Sequence, residues 1–269
     1  MNILYCGDRG VCDGIFLSAL SLSKHASERL DFYILTASVE FGDKKHVAID
    51  CAFAEKLRSA LSGFDGYSVS LIDLSERFAE YSPTANMGTR FTPLCMLRLY
   101  ADTVPTLPDR LLYLDADVLC CADFSEMYHT QMESFDIAGV PDRYGKYFFG
   151  NILKHDYFNS GVLLLNMARI RENGLFEKCR TMCRDKKMFM PDQSALNKLA
   201  RKKRLSKHCN EQGRIRRRTI FKHFTTYFKF FPYIHHVTVK PWQIDAMHDT
   251  LGIFEFDDIL ELYERIYHE

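Results

Sequence analysis

The chain opens on an apolar run at residues 2–6 that stops at Gly7-Asp8-Arg9-Gly10. Apolar positions then recur at helical spacing over 15–25, and a second apolar run covers 30–35. A short apolar run bounded by turn residues reads as a buried strand, and a 3.6-residue recurrence as a helix with one core-facing side. The same signals predict helix over 44–61, strand over 67–73, helix over 92–100 and strand over 111–114. Further strands are predicted at 136–140 and 162–166, and a helix at 192–201 whose start is marked by Pro191-Asp192. Strands alternating with helices predict an α/β fold with a mostly parallel sheet, because parallel neighbours need a crossover that a helix supplies.

Composition narrows the class without changing that picture. The 269 residues are 47% hydrophobic and 26% charged, the make-up of a globular chain, and are read as a single domain, 1–269. Thirty-five basic residues balance 35 acidic ones, which excludes a generally basic nucleic-acid coat protein or an acidic tail protein. The apolar runs fall short of the roughly 18–20 residues that a membrane span needs. A strand that begins at once, with no basic stretch before it, predicts no signal peptide. Nine cysteines without a C-x-x-C pattern predict buried, reduced thiols in a cytoplasmic protein rather than disulfides or zinc.

The charge is unevenly spread. Nine of the eighteen residues in 201–218 are Lys or Arg, and after Gln243 eight acidic residues face the single Arg265. The basic tract, followed by aromatic residues over 221–233, reads as a solvated face or as a peripheral contact with an anionic membrane. Nucleic acid is the least favoured partner, since no recognition motif accompanies the tract.

Candidate chemistry lies at four places. Leu111-Leu112-Tyr113-Leu114 delivers Asp115-Ala116-Asp117 to a strand end, where ligands of open α/β sheets bind. Two carboxylates there suit Mg²⁺ or Mn²⁺, and they also read as two solvated acids. In His235-His236-Val237-Thr238-Val239-Lys240-Pro241-Trp242, a histidine could add a ligand and Lys240 could meet phosphate; a rigid packed turn is the alternative. Asn159-Ser160-Gly161 is read as a polar turn feeding the 162–166 strand, and Asp192-Gln193 as a helix start. Both could grip sugar hydroxyls, and both are also ordinary turn and cap residues.

In this order the four motifs resemble glycosyltransferase family 8, from Asn2 to about Trp242. The resemblance implies a GT-A fold: a Rossmann-like sheet with a nucleotide-sugar part over about 1–120 and an acceptor part over about 121–269. It implies transfer of glucose or galactose from UDP-glucose or UDP-galactose, with retention, to a glycan or glycolipid in cell-surface polysaccharide or lipopolysaccharide synthesis. It implies a divalent metal, usually Mn²⁺ with Mg²⁺ as the alternative, held by Asp115, Asp117 and His235, or His236 in its place. Lys240 would meet the diphosphate, Asp8 the uracil and Arg98 the donor, while Asn159, Asp192 and Gln193 would hold the transferred sugar. Asp192 and Gln193 are the candidates for a chemical role, and same-face attack without a protein nucleophile is the favoured route. The place of action would be cytoplasmic, or peripheral at the inner face of the membrane. A catalytically silent nucleotide-sugar binder is the competing expectation.

Overall fold

The computed structural model describes every residue except 65, 90–91, 146–155, 230–234 and 268–269, and the backbone alone of 228, 229, 235 and 267. Along the chain come β1 (Asn2–Gly7), β2 (Leu30–Thr36), the hairpin strands β3 (Val39–Phe41) and β4 (Lys44–His46), and β5 (Tyr67–Asp73). Then follow β6 (Arg110–Leu114), β7 (Val118–Cys120), β8 (Ile137–Pro141) and β9 (Phe158–Asn166). Beyond them are β10 (Lys202–Arg204), β11 (Phe221–His223), β12 (Tyr227–Lys229) and β13 (His235–Val237).

The main sheet has the order β10-β8-β9-β6-β1-β2-β5. β1 runs parallel to β2 and β6, β2 to β5, and β8 to β10, while β9 is antiparallel to both its neighbours. Alternate side chains go to opposite faces of a strand, so Ile3 and Tyr5 of β1 join Leu112 and Leu114 of β6 on one side. That side is covered by the helices Cys12–His25, Cys51–Leu61 and Asp257–Tyr267, with the rings of Phe16 and Tyr263 meeting edge-on at 5.6 Å. Leu4, Leu111 and Tyr113 point the other way, under Pro93–Thr103, Leu175–Asp185 and Pro191–Leu199. Each fully buried Leu, Ile or Phe contributes about 1.5–3 kcal/mol to holding these layers together.

The structure corrects three of the expected elements and shifts the bounds of a fourth. The helix expected over 44–61 begins only at Cys51, where the Asp50 carboxylate accepts from the Phe53 amide at 3.0 Å. Residues 44–46 instead form β4, turned back on β3 at Gly42, whose φ of +58° suits glycine. The 92–100 segment is a 3-10 helix, Pro93–Thr103, capped by Thr92. The supposed Asn159-Ser160-Gly161 turn is the start of β9, because pairing with β6 and β8 outweighs local turn preference. The helix expected over 192–201 spans Pro191–Leu199.

All nine cysteines are free thiols. Among the described residues no helix is long and apolar enough to cross a membrane. The basic tract divides in two. Lys202 is folded in, its ammonium bonding the Asn197 carbonyl and side-chain oxygens at 3.1 Å each, and burial lowers its pKa. Arg214, Arg216, Arg217 and Arg218 are exposed.

Candidate active site

The sheet order brings the polar motifs to one edge. From β1 the chain moves outward through β2 to β5 and then returns to β6 on the other side of β1. Such a reversal leaves a crevice beyond the carboxyl ends of the two inner strands, and Asp8 and Asp115 follow those ends directly. β9 runs backward, so it is its amino end, with Asn159, Ser160 and Gly161, that reaches the same edge. There the Asp115 amide donates to the Gly161 carbonyl at 2.8 Å.

β7 continues just past Asp117, and β11 pairs with it antiparallel, setting His223 opposite Val118. The imidazole Nε2 therefore lies 3.2 Å from Asp117 Oδ1 and 3.8 Å from Asp115 Oδ2. Ligand atoms of Asp115, Asp117 and His223 all fall within 4.8 Å of one another. Lys240 Nζ donates to Asp117 Oδ2 from the other side. Burial alone would raise the Asp117 pKa; His223 and Lys240 outweigh it and hold the carboxyl well below the usual carboxylate range.

Gly161 makes this convergence sterically feasible. A Cβ there would stand 2.1 Å from His223 Cε1 and 2.8 Å from Asp115 Oδ2. Gly14 serves Trp242 in the same way, since its Cβ would be 2.4 Å from the Ala116 carbonyl and 2.6 Å from the indole. The absence of a side chain at Gly14 thereby leaves room for both the Trp242 ring and the Ala116 carbonyl between the two aspartates. Two carboxylates and one imidazole whose ligand atoms lie within 4.8 Å of one another fit a small divalent cation of the Mg²⁺ or Mn²⁺ kind.

Arg98 is the second organising group. It is only 3% exposed. Its guanidinium lies 3.0 Å from Asp115 Oδ1 and 3.3 Å from Asp192 Oδ2, and it donates to the Cys95 and Ser160 carbonyls. The Tyr113 ring lies under it at 4.0 Å, and the tyrosine hydroxyl donates to Asp115 Oδ1 at 2.6 Å. Burial works against the charge, but Tyr113, Asp115 and Asp192 outweigh it and raise the Arg98 pKa further. Asp192 shows the reverse balance: burial, chiefly, raises its carboxyl above the usual range despite Arg98.

The amides complete the floor. Gln193 Oε1 accepts from the Ser160 amide at 2.9 Å, and its nitrogen donates to Asp142 Oδ2 at 3.3 Å. Asn159 Nδ2 donates to the same Asp142 oxygen at 3.1 Å. Asp142, just past β8, thus gathers two of the expected sugar-holding residues, although sequence reading passed over it. Asp8 sits apart from this floor, beside the crevice, with one oxygen capping Gly10 N at 3.0 Å and the other 2.6 Å from His46 Nδ1.

Seven expected site residues therefore share one connected network: Arg98, Asp115, Asp117, Asn159, Asp192, Gln193 and Lys240. The His235 side chain lies outside the described residues, and His236 is exposed on β13. His223 was missed. Its only sequence signal is its place two residues after the apolar Ile220-Phe221 pair, shortly beyond the basic tract.

The chain is 25% identical to the lipopolysaccharide 1,2-glucosyltransferase of Escherichia coli K12, over 95% of this chain and 83% of that protein. It is 24% identical to the glycosyltransferase GlyA of Streptococcus pneumoniae, over 73% of this chain but 25% of that longer protein. Among solved structures, the galactosyltransferase LgtC in complex with donor and acceptor sugar analogues superposes with a TM-score of 0.71. That match has 20% identity and covers 97% of this chain and 95% of LgtC, a likeness of fold. The pattern of glycosyl transferase family 8 matches residues 2–246, and the chain belongs to that family.

Proposed function

We propose that the protein is a retaining, metal-dependent hexosyltransferase that moves glucose or galactose from a UDP-sugar to a hydroxyl of a glycan or glycolipid in cell-surface polysaccharide synthesis. The observation that carries the reading is the cluster of Asp115, Asp117 and His223 at the switch point of the sheet, within reach of Lys240. These three side chains would hold Mn²⁺, or Mg²⁺ in its place. Bound there, the ion supplies electrostatic stabilisation to the departing diphosphate.

Lys240 adds a positive charge on the same side and exchanges its bond to Asp117 for one to phosphate. Asp8 and the loop after it face the uracil. Arg98 stays charged and presents the Asp192 carboxylate and the Ser160 backbone to the donor sugar, with Asn159 and Gln193 beside them. The Asp192 oxygen is engaged by Arg98 and Ser160, and the Gln193 amide by Ser160 and Asp142. Groups tied on this scale are suited to orienting a sugar rather than attacking it. That supports same-face attack, in which the acceptor proton passes to the leaving phosphate. The exposed Arg214 and Arg216 to Arg218 support peripheral docking on an anionic membrane at the cytoplasmic face.

The test is a screen for UDP release with Mn²⁺ over several UDP-sugars, with and without glycoside acceptors. Turnover with UDP-glucose or UDP-galactose that chelation abolishes is the expected result. Metal-dependent UDP binding with no turnover would leave a silent binder. For docking, loss of co-sedimentation with phosphatidylserine vesicles as salt rises is expected; no binding at low salt rules it out.

A further inference from the structure

The hydrogen bonds around the site dictate the orientation of the His223 ring, and one buried side chain transmits that instruction. The backbone N–H of Gly161 donates to Asn159 Oδ1 at 3.0 Å. That atom must therefore be the amide oxygen, and Asn159 Nδ2 faces the Asp142 carboxylate, as a donor should. The same Asn159 oxygen lies 2.9 Å from the Asn210 side chain, which must present its NH₂ there. The Asn210 oxygen is left facing His223 Nδ1 at 3.1 Å. An oxygen acceptor requires Nδ1 to carry the hydrogen, so Nε2 is the nitrogen left to meet a cation between it and the aspartates.

We propose that Asn210 is a positioning residue: it fixes the His223 ring with Nε2 directed at Asp115 and Asp117, and couples that ring to Asn159 and the sugar side of the site. The proposal rests on the reading of Asp115, Asp117 and His223 as a cation site. The fold supports the role. Asn210 ends the short 3-10 turn Lys207–Asn210 and is 1% exposed. Backbone bonds from Glu211 N to Phe221 O (2.8 Å) and from His223 N to Glu211 O (3.1 Å) hold its segment against β11. A ligating histidine commonly donates its second N–H to a fixed acceptor, and removing that acceptor costs about 10–100-fold in metal affinity. Here the acceptor is an amide whose other end reaches Asn159, so cation binding and sugar contacts share one wire of hydrogen bonds.

The test uses the purified full chain and reads Mn²⁺ binding directly, from the electron paramagnetic resonance signal of free Mn²⁺. Asn210→Ala should raise the Mn²⁺ Kd by about 10–100-fold. Asn210→Asp keeps an acceptor for Nδ1–H but loses the donor to Asn159. It should bind Mn²⁺ within about threefold of the parent while losing affinity for UDP-sugar, a split that a purely structural role would not produce. ¹⁵N spectra of labelled histidine should show the Nδ1–H form of His223 in the parent and in Asn210→Asp. Should Asn210→Ala fail to fold, Asn210→Asp and the ¹⁵N spectra decide. Unchanged Mn²⁺ affinity in Asn210→Ala overturns the proposal, as does equal loss in Asn210→Asp or an Nε2–H form in the parent. A parent chain that binds no Mn²⁺ instead overturns the cation reading itself.

Discussion

Asp117 and Asp192 are both nearly buried, at 9% and 5% exposure, yet their carboxyls are driven in opposite directions. Asp117 lies between β6 and β7, with His223 at one carboxylate oxygen and Lys240 at the other. Asp192 lies at the start of a helix and shares a single arginine with Asp115, whose negative charge adds to the cost of burial. Burial is the same penalty in both places; the hydrogen-bonding and charged partners within reach decide its outcome. The first carboxylate is charged and open to exchange partners, which suits a cation site. The second is a structural acceptor that keeps Arg98 in place, which suits a wall of the sugar subsite.

Exchanging the two acids gives the largest expected contrast. Asp117→Asn should lower Mn²⁺-dependent turnover of UDP-sugar by about 10³-fold and weaken Mn²⁺ binding with it. Asp192→Asn should reduce turnover by about 10²-fold while Mn²⁺ affinity changes less than about threefold. UDP release and direct Mn²⁺ titration measure both, and equal loss of Mn²⁺ affinity in the two variants would erase the distinction. Next in size is Arg98→Met, which leaves Asp115 and Asp192 without their shared cation. Breaking a buried pair from one side costs about 3–5 kcal/mol, readable as a lowered urea midpoint. A loss below about 1 kcal/mol would mean that the two acids do not depend on that guanidinium.

Gly161→Ala sharpens the picture on the Asp117 side. The added methyl collides with His223 and Asp115, so a loss of about 1–3 kcal/mol in stability is expected, with weakened Mn²⁺ binding. Normal Mn²⁺ affinity in a folded Gly161→Ala chain would show that the ring and the acids are not held as tightly as their spacing implies. Lys240→Met should have the smallest effect on the fold, because that side chain is 32% exposed. It should change stability by less than about 1 kcal/mol and raise the KM for UDP-sugar about tenfold. A change in stability with KM unaltered would move Lys240 from the donor to the scaffold.

How much was legible beforehand differs between these two regions. The strand before Asp115 and the Asp-x-Asp pair stand out because apolar residues run unbroken to two carboxylates. Asp192-Gln193 is visible as a helix start. Asp142 carries no local pattern, since it follows an ordinary buried strand. His223 is obscured by the conspicuous His235-His236 pair and by the charged residues before it. Residues 44–46 of the hairpin fall within the expected helix because the apolar period of Cys51–Leu61 continues weakly upstream, although Asp50 caps that helix six residues later than its expected start.

The sequence by itself determined the alternation of strands and helices, the carboxylates at a strand end and the likeness to family 8, because these depend on periodicity and on residues close together in the chain. Tertiary structure decided which distant residues meet. β9 runs antiparallel within an otherwise parallel sheet, so its amino end, and not its carboxyl end, carries Asn159 and Gly161 to Asp115. β11 pairs with β7 and brings His223 across from more than a hundred residues away. Strand direction and register are set by packing and hydrogen bonding over the whole sheet, and no local pattern encodes them.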